Sequence, residues 1–204
     1  IIDNALVIEG TNAADTIEVR QVGDRLNVII NDRFQLFDLT DEIRVRGLGG
    51  DDVINFQVGI TATAIVDDTI FGRGGDDFIN GGGGDDTIRG QAGNDSVLGG
   101  LANDSIDGGP GDDFLDGGLG DDFVFGNTGE DNIDGRQGDD DLFGGNGDDL
   151  ILGGNGDDMI NGGAGNDIID GAADEDTIFG GTGADFIDGG TGASEIFGGD
   201  GDDF

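Results

Sequence analysis

From Ile79 to Ile196 an aliphatic residue returns every nine positions, with no insertion or deletion between returns. What lies between is glycine and acid. Typical copies read GGNGDDLIL (144–152), GGNGDDMIN (153–161) and GGAGNDIID (162–170). Fourteen full copies start at Gly72 and end at Phe197, and a truncated copy, 198–204, follows. A fixed short period predicts a stacked solenoid rather than a globular core. Numbered from its opening glycine, each unit carries its aliphatic residue at position 8. Positions 7 to 9 are predicted to form a short strand, with position 8 pointing inward by the two-residue alternation of strands. One strict apolar position in nine fits a thin coil of two sheets.

The first 71 residues are less regular. Residues 10–18 read as a worn copy, with Asp15 and Ile17 in place. Thr16 to Val22, Leu26 to Ile30 and Phe34 to Leu39 are β-rich runs divided by the turn residues Gly23-Asp24 and Asn31-Asp32-Arg33. They predict an antiparallel hairpin or three-stranded meander. A clear copy, GLGGDDVIN (47–55), contributes Asp52, and 63–71 is a degenerate one. The expected organisation is a β-rich cap over 1–46, a junction of degenerate repeats over 47–71, and the regular stack over 72–204. A cap answers the exposed strand edges of an open solenoid end.

Charge changes the picture next. There are 46 acidic and 8 basic residues, a formal net charge of −38, with no Cys or His. Nucleic acid and anionic membrane surfaces both require basic patches, so neither is an expected partner. No apolar run is long enough to span a bilayer. The absence of His and Cys closes the common general-base and thiol-nucleophile schemes. Paired carboxylates can hydrolyse glycosides, yet these recur in every repeat, which fits ligation better than an active site. The glycine runs resemble a nucleotide loop only superficially, because no helix follows them. The chain is expected not to be an enzyme. It opens without Met and stops inside a repeat, and is read as a piece of a longer protein.

Position 6 holds the acids that matter: Asp77, Asp86, Asp95, Asp104, Asp113, Asp122, Asp131, Asp140, Asp149, Asp158, Asp167, Asp176, Asp185 and Asp203, with Ser194 as the one exception. Stacking brings equivalent carboxylates about 4.8 Å apart, the spacing of strands in a sheet. Their repulsion is roughly 3–4 kcal/mol per pair at an effective dielectric of about 20. Cations between the carboxylates would remove that penalty. Carboxylate and carbonyl oxygens are hard donors, and no ligand suited to zinc or copper is present. Several flexible oxygens suit Ca²⁺ better than Mg²⁺, which prefers a stiff octahedron.

The units match GGxGxDxUx, and on these residues the chain resembles the repeats-in-toxin (RTX) family of Ca²⁺-binding nonapeptide repeats. The match runs through 72–204, with outlying copies at 47–55 and 10–18. The resemblance implies an all-β, right-handed parallel β-roll with two nonapeptides per coil. It implies several Ca²⁺ ions held between turns by position-6 Asp side chains and by carbonyls near positions 2 and 4. Gly82, Gly84, Gly109, Gly111, Gly118, Gly120, Gly145, Gly147, Gly154, Gly156, Gly163 and Gly165 are the candidate backbone ligands. It further implies an extracellular or cell-surface location and type 1 secretion.

With two units per coil, Asp77, Asp95, Asp113, Asp131, Asp149, Asp167, Asp185 and Asp203 form one ladder. The other carries the main departures, Ala102 and Asp174 at position 4 and Ser194 at position 6, and weak or absent Ca²⁺ is expected between the turns of Asp176 and Ser194. Outward positions 7 and 9 give apolar rows: Phe78, Phe114, Leu150, Ile168, Phe186 and Phe204 on one side, Phe125, Phe143, Phe179 and Phe197 on the other. They serve either as stacks between coils or as a contact surface. The expected function is a calcium-binding module of a larger secreted protein that folds on Ca²⁺ outside the cell as a rigid, export-assisting segment. Alternatives are a self-assembling or adhesive surface module using the Phe rows, or the non-catalytic module of a secreted toxin or hydrolase. A carbohydrate-binding reading based on the N-terminal meander lacks an aromatic platform there.

Overall fold

A computed structural model describes residues 6–9, 16–22, 25–31, 33–38, 43–46, 53–57 and 67–204. Six strands come first: β1 (Leu6–Glu9), β2 (Thr16–Val22), β3 (Arg25–Ile30), β4 (Arg33–Asp38), β5 (Ile43–Arg46) and β6 (Val53–Gln57). The regular series follows as β7 (Thr69–Gly74), β8 (Phe78–Gly83), β9 (Thr87–Ala92), β10 (Ser96–Leu101), β11 (Ser105–Pro110), β12 (Phe114–Leu119) and β13 (Phe123–Thr128). It continues through β14 (Asn132–Gln137), β15 (Asp141–Asn146), β16 (Leu150–Asn155), β17 (Met159–Ala164), β18 (Ile168–Ala173) and β19 (Thr177–Thr182). It ends with the short β20 (Phe186–Asp188) and β21 (Glu195–Asp200). No helix occurs among the described residues.

Apart from β2, β3 and β4, which share a sheet, successive strands alternate between two sheets. One runs β1-β5-β7-β9-β11-β13-β15-β17-β19-β21, the other β20-β18-β16-β14-β12-β10-β8-β6-β2-β3-β4. Each regular strand pairs in parallel with the strand eighteen residues away, as Val97 does with Leu115 and Ile106 with Val124. Eighteen residues per coil means two nonapeptides per coil. The architecture is a parallel β-solenoid of about seven turns. The meander is present: β2 pairs antiparallel with β3, and β3 with β4.

The regular strands are twice the expected length. Each except β20 spans positions 7 to 9 and continues through positions 1 to 3 of the next unit. Hydrophobicity marks only position 8, and the glycines that extend the strand carry no side-chain signal. Identical spacing in successive coils is enough to keep their backbones in the ladder.

Position 8 forms the core. Ile79, Ile88, Val97, Ile106 and their equivalents to Ile178 are fully buried. The column outlasts the regular repeat, because Ile8 pairs with Val45, Val45 with Ile70 and Ile70 with Ile88. Ile17 and Ile54 begin the facing column. The β3–β4 hairpin is therefore inserted between Ile17 and Val45 without breaking the register. At the other end Ile196 is 46% exposed, since β21 is the edge of its sheet.

Candidate metal sites

Three positions of each regular unit face inward: 6, 8 and the position 1 that follows. Inward Asp at position 6 is buried from Asp68 through Asp185. Each such carboxylate is divided between two roles. Its Oδ1 accepts the backbone N–H of the position-6 residue one coil earlier, as in Asp86 to Asp104 at 2.8 Å, Asp104 to Asp122 at 2.7 Å and Asp122 to Asp140 at 2.7 Å. The other ladder is built the same way, from Asp77 to Asp95 at 2.8 Å to Asp185 to Asp203 at 3.2 Å.

Its Oδ2 points to a different neighbour. In Asp86, Asp95, Asp104, Asp113, Asp122, Asp131, Asp140, Asp149, Asp158, Asp167 and Asp185 this oxygen is buried and accepts no hydrogen bond. A buried acceptor left unsatisfied costs about 1–3 kcal/mol, and more when it is charged. A column of them is an arrangement that bound cations would satisfy.

Position 1 accounts for how closely that oxygen approaches the backbone. It is glycine in all fifteen units. A Cβ on Gly81 would lie 2.5 Å from Asp86 Oδ2 and 2.7 Å from the carbonyl oxygen of Gly99. On Gly153 it would lie 2.5 Å from Asp158 Oδ2 and 2.8 Å from the Gly171 carbonyl. The missing side chain leaves room where a carboxylate oxygen and a carbonyl oxygen from the next coil converge.

The turn glycines have a separate reason. Positions 2 and 4 both take positive φ, 117° at Gly145 and 136° at Gly147. The same holds across Gly82 and Gly84, Gly109 and Gly111, Gly118 and Gly120, Gly154 and Gly156, and Gly163 and Gly165. This conformation is open to glycine and costly for other residues. It turns each position-2 and position-4 carbonyl toward its equivalent one coil on, as from Gly100 to Gly118 and from Gly147 to Gly165. Ala102 and Asp174 hold position 4 at φ 79° and 80°. The turn geometry is thus kept at both departures.

Burial raises the carboxyls' pKa values. Asp104 is pushed up to about 8 and Asp86, Asp95, Asp122, Asp149 and Asp158 to about 7. Asp113, Asp131, Asp140 and Asp167 reach about 6. Loss of hydration is the largest cause. The N–H bond to Oδ1 opposes it, and neighbouring carboxylates add to it.

These donors fit Ca²⁺. They are hard oxygens, they are buried, and one per turn lacks a partner. Among the described residues no three acidic side chains converge on one point, so backbone carbonyls must complete any coordination shell. Asp52 lies outside the described residues. At Ser194 the Asp176 N–H is accepted by a hydroxyl at 3.2 Å, and that hydroxyl lies 3.1 Å from the Gly189 carbonyl. The second ladder keeps its backbone bond there and loses a carboxylate.

A second side-chain ladder was not anticipated. Position 5 is Asp, Asn or Glu in thirteen of the fifteen units. Where it is Asp or Asn, its Oδ1 accepts the position-5 N–H one coil later, as in Asn94 to Asp76 at 2.8 Å, Asp112 to Asn94 at 3.0 Å and Asp157 to Asp139 at 2.9 Å. The two ladders run in opposite directions, so where position 5 is Asp or Asn the pair locks its turn to both neighbours. The recurrence of a side-chain oxygen beside nearly every position-6 residue, and the invariant glycine at position 1, were the available signals.

A family model described as the RTX calcium-binding nonapeptide repeat matches residues 66–97, 89–124, 116–151, 143–178, 152–187 and 179–204. No curated protein matches the chain.

Proposed function

We propose, from the premise that this chain belongs to the RTX calcium-binding nonapeptide-repeat family, that it is the calcium-folded structural segment of a larger secreted protein. The family match places multiple Ca²⁺ ions on the β-roll. Each would be held by position-6 Asp oxygens with carbonyls of the adjoining turns. The ion supplies positive charge where the fold buries negative charge.

The column of buried, unpartnered Oδ2 oxygens carries the reading. Without cations those groups must be protonated or the coils must separate. Folding and metal binding are then one event. Oxygen-donor sites of extracellular modules have dissociation constants of about 10⁻⁴–10⁻³ M. In calcium-poor cytosol the segment stays extended and passes through a secretion channel. Outside the cell it becomes a rigid rod. Its role is structural rather than catalytic.

The test is far-UV circular dichroism during a calcium titration at neutral pH. A coil spectrum that turns β-rich at millimolar Ca²⁺ and reverses with chelator is expected. A β-rich spectrum indifferent to chelator would sink the proposal.

A further inference from the structure

The outer face of the sheet containing β13, β15 and β17 carries an aromatic cluster that lies apart from the inward position-6 carboxylates. Outward position 9 there reads Phe125, Phe143 and Asn161 on successive rungs. The Phe125 and Phe143 rings stack with centroids 4.7 Å apart and planes 17° apart. Phe123 meets Phe125 edge-on at 4.6 Å. Beside this cluster runs a groove of about 290 Å³.

Its walls are of two kinds. Phe125 and Phe143 supply apolar surface, while Asn127, Asn146 and Asn161 supply amides. Gly145 and Gly163 line it where other units place Arg or Gln at position 2. The Asn127 amide nitrogen is held by Asp107 at 2.8 Å, which leaves its carbonyl oxygen as an acceptor. None of the lining residues is charged, in a chain of which 26% is Asp, Glu, Lys or Arg.

That chemistry selects a ligand class. A charged ligand finds no counter-charge in the groove, and anions are repelled by a net charge of −38. An added peptide strand finds no free edge, because β13, β15 and β17 are interior strands paired on both sides. Apolar walls with a few donor-and-acceptor groups describe a small-molecule site, and this volume is at the small end of the usual range. We propose that the groove binds a neutral sugar ring, one or two residues of an uncharged oligosaccharide. The C–H face of the sugar packs on Phe125 and Phe143, and its hydroxyls pair with the amides of Asn127, Asn146 and Asn161. An amide donates and accepts, as a hydroxyl does, so the match needs no charge. The proposal depends on the β-roll and not on the secretory reading above.

The experiment uses the full chain in saturating calcium. Cellohexaose, chitohexaose and maltohexaose are titrated by calorimetry, with polygalacturonate as the anionic comparison. Binding by at least one neutral hexasaccharide is expected, weakened about tenfold or more by Phe143→Ala and by Asn161→Ala, with the circular dichroism spectrum unchanged. Should Phe143→Ala fail to fold, Asn146→Ala on the exposed rim and side-chain amide shifts in nitrogen-15 spectra give the same answer. Shifts confined to Asn127, Asn146 and Asn161 support the site. No binding by any of the three neutral probes to the folded chain overturns it. So do unchanged affinities in the variants, shifts elsewhere, or polygalacturonate binding as tightly.

Discussion

The backbone N–H of Asp104 donates to Oδ1 of Asp122, one full coil further on, at 2.7 Å. Asp122 Oδ2 is left buried without a hydrogen bond. One side chain thus joins two coils through one oxygen and leaves the other as a buried acceptor without a hydrogen bond.

The two roles can be separated at Asp122. Asp122→Asn keeps an acceptor for Asp104 and removes the charge. It is expected to bind at least one Ca²⁺ fewer by calorimetry. Asp122→Ala loses both roles, and is expected to be less stable than Asp122→Asn by about 1–3 kcal/mol in urea titrations at saturating calcium. Equal stability of the two variants would show that the Oδ1 bond contributes nothing.

Glycine at position 1 is required for space and glycine at position 3 is not. In Gly153→Ala the new methyl would meet Asp158 Oδ2 at 2.5 Å and Ile160 Cδ1 at 3.1 Å. It should cost about 1–3 kcal/mol, as overpacking does, and raise the calcium concentration needed for folding. In Gly74→Ala the nearest atom is the Ala92 carbonyl at 3.6 Å, and a change within about 0.5 kcal/mol is expected. The midpoints of calcium-induced folding compare the two directly.

Acidity should substitute in part for calcium. The folded-state pKa of Asp104 is about 8 and that of Asp86 about 7, above an ordinary value of 3.8. A carboxyl whose pKa is raised on folding binds its proton more tightly in the folded state. The metal-free roll is therefore least disfavoured below about pH 4. It loses stability as pH rises above about 4, and the loss is complete once pH has passed the folded-state values of about 6 to 8. In chelator, circular dichroism at pH 5 should show more β structure than at pH 8. Calcium binding near pH 7 should release protons, measurable as a buffer-dependent heat. No difference between pH 5 and pH 8 would contradict the burial of these groups.

Ser194→Asp restores the carboxylate that the second ladder lacks. Ser194 Oγ lies 3.2 Å from the Asp176 backbone nitrogen, so an Asp there enters the existing bond pattern. One additional Ca²⁺ is expected per chain, with stronger hydrogen-exchange protection over β20 and β21. An unchanged stoichiometry would show that the Ser194 turn already holds its ion.

Much of this was legible along the chain. The nine-residue return of Ile79, Ile88 and Val97 dictated a solenoid, because no globular core is served by one apolar residue in nine. Acids at a fixed offset from those residues, without His or Cys, dictated a column of hard oxygen ligands. The β-rich runs from Thr16 to Leu39 announced the meander, although Arg33, read as a turn residue, begins β4.

Other features exist only between coils. Asp86 and Asp104 are eighteen residues apart, and nothing local to either says which carboxylate oxygen the neighbouring N–H will take. The need for glycine at Gly81 and Gly153 comes from the Asp oxygen folded back over each and from the carbonyl of the next coil. The pairing of Phe125 with Phe143, and the uncharged groove beside them, depend on which rungs adjoin and which positions share a face. Periodicity along a chain determines which residues point the same way. Which atoms meet is decided by the stacking of separate coils, where hydrogen bonding, excluded volume and buried charge act across a gap of one strand spacing.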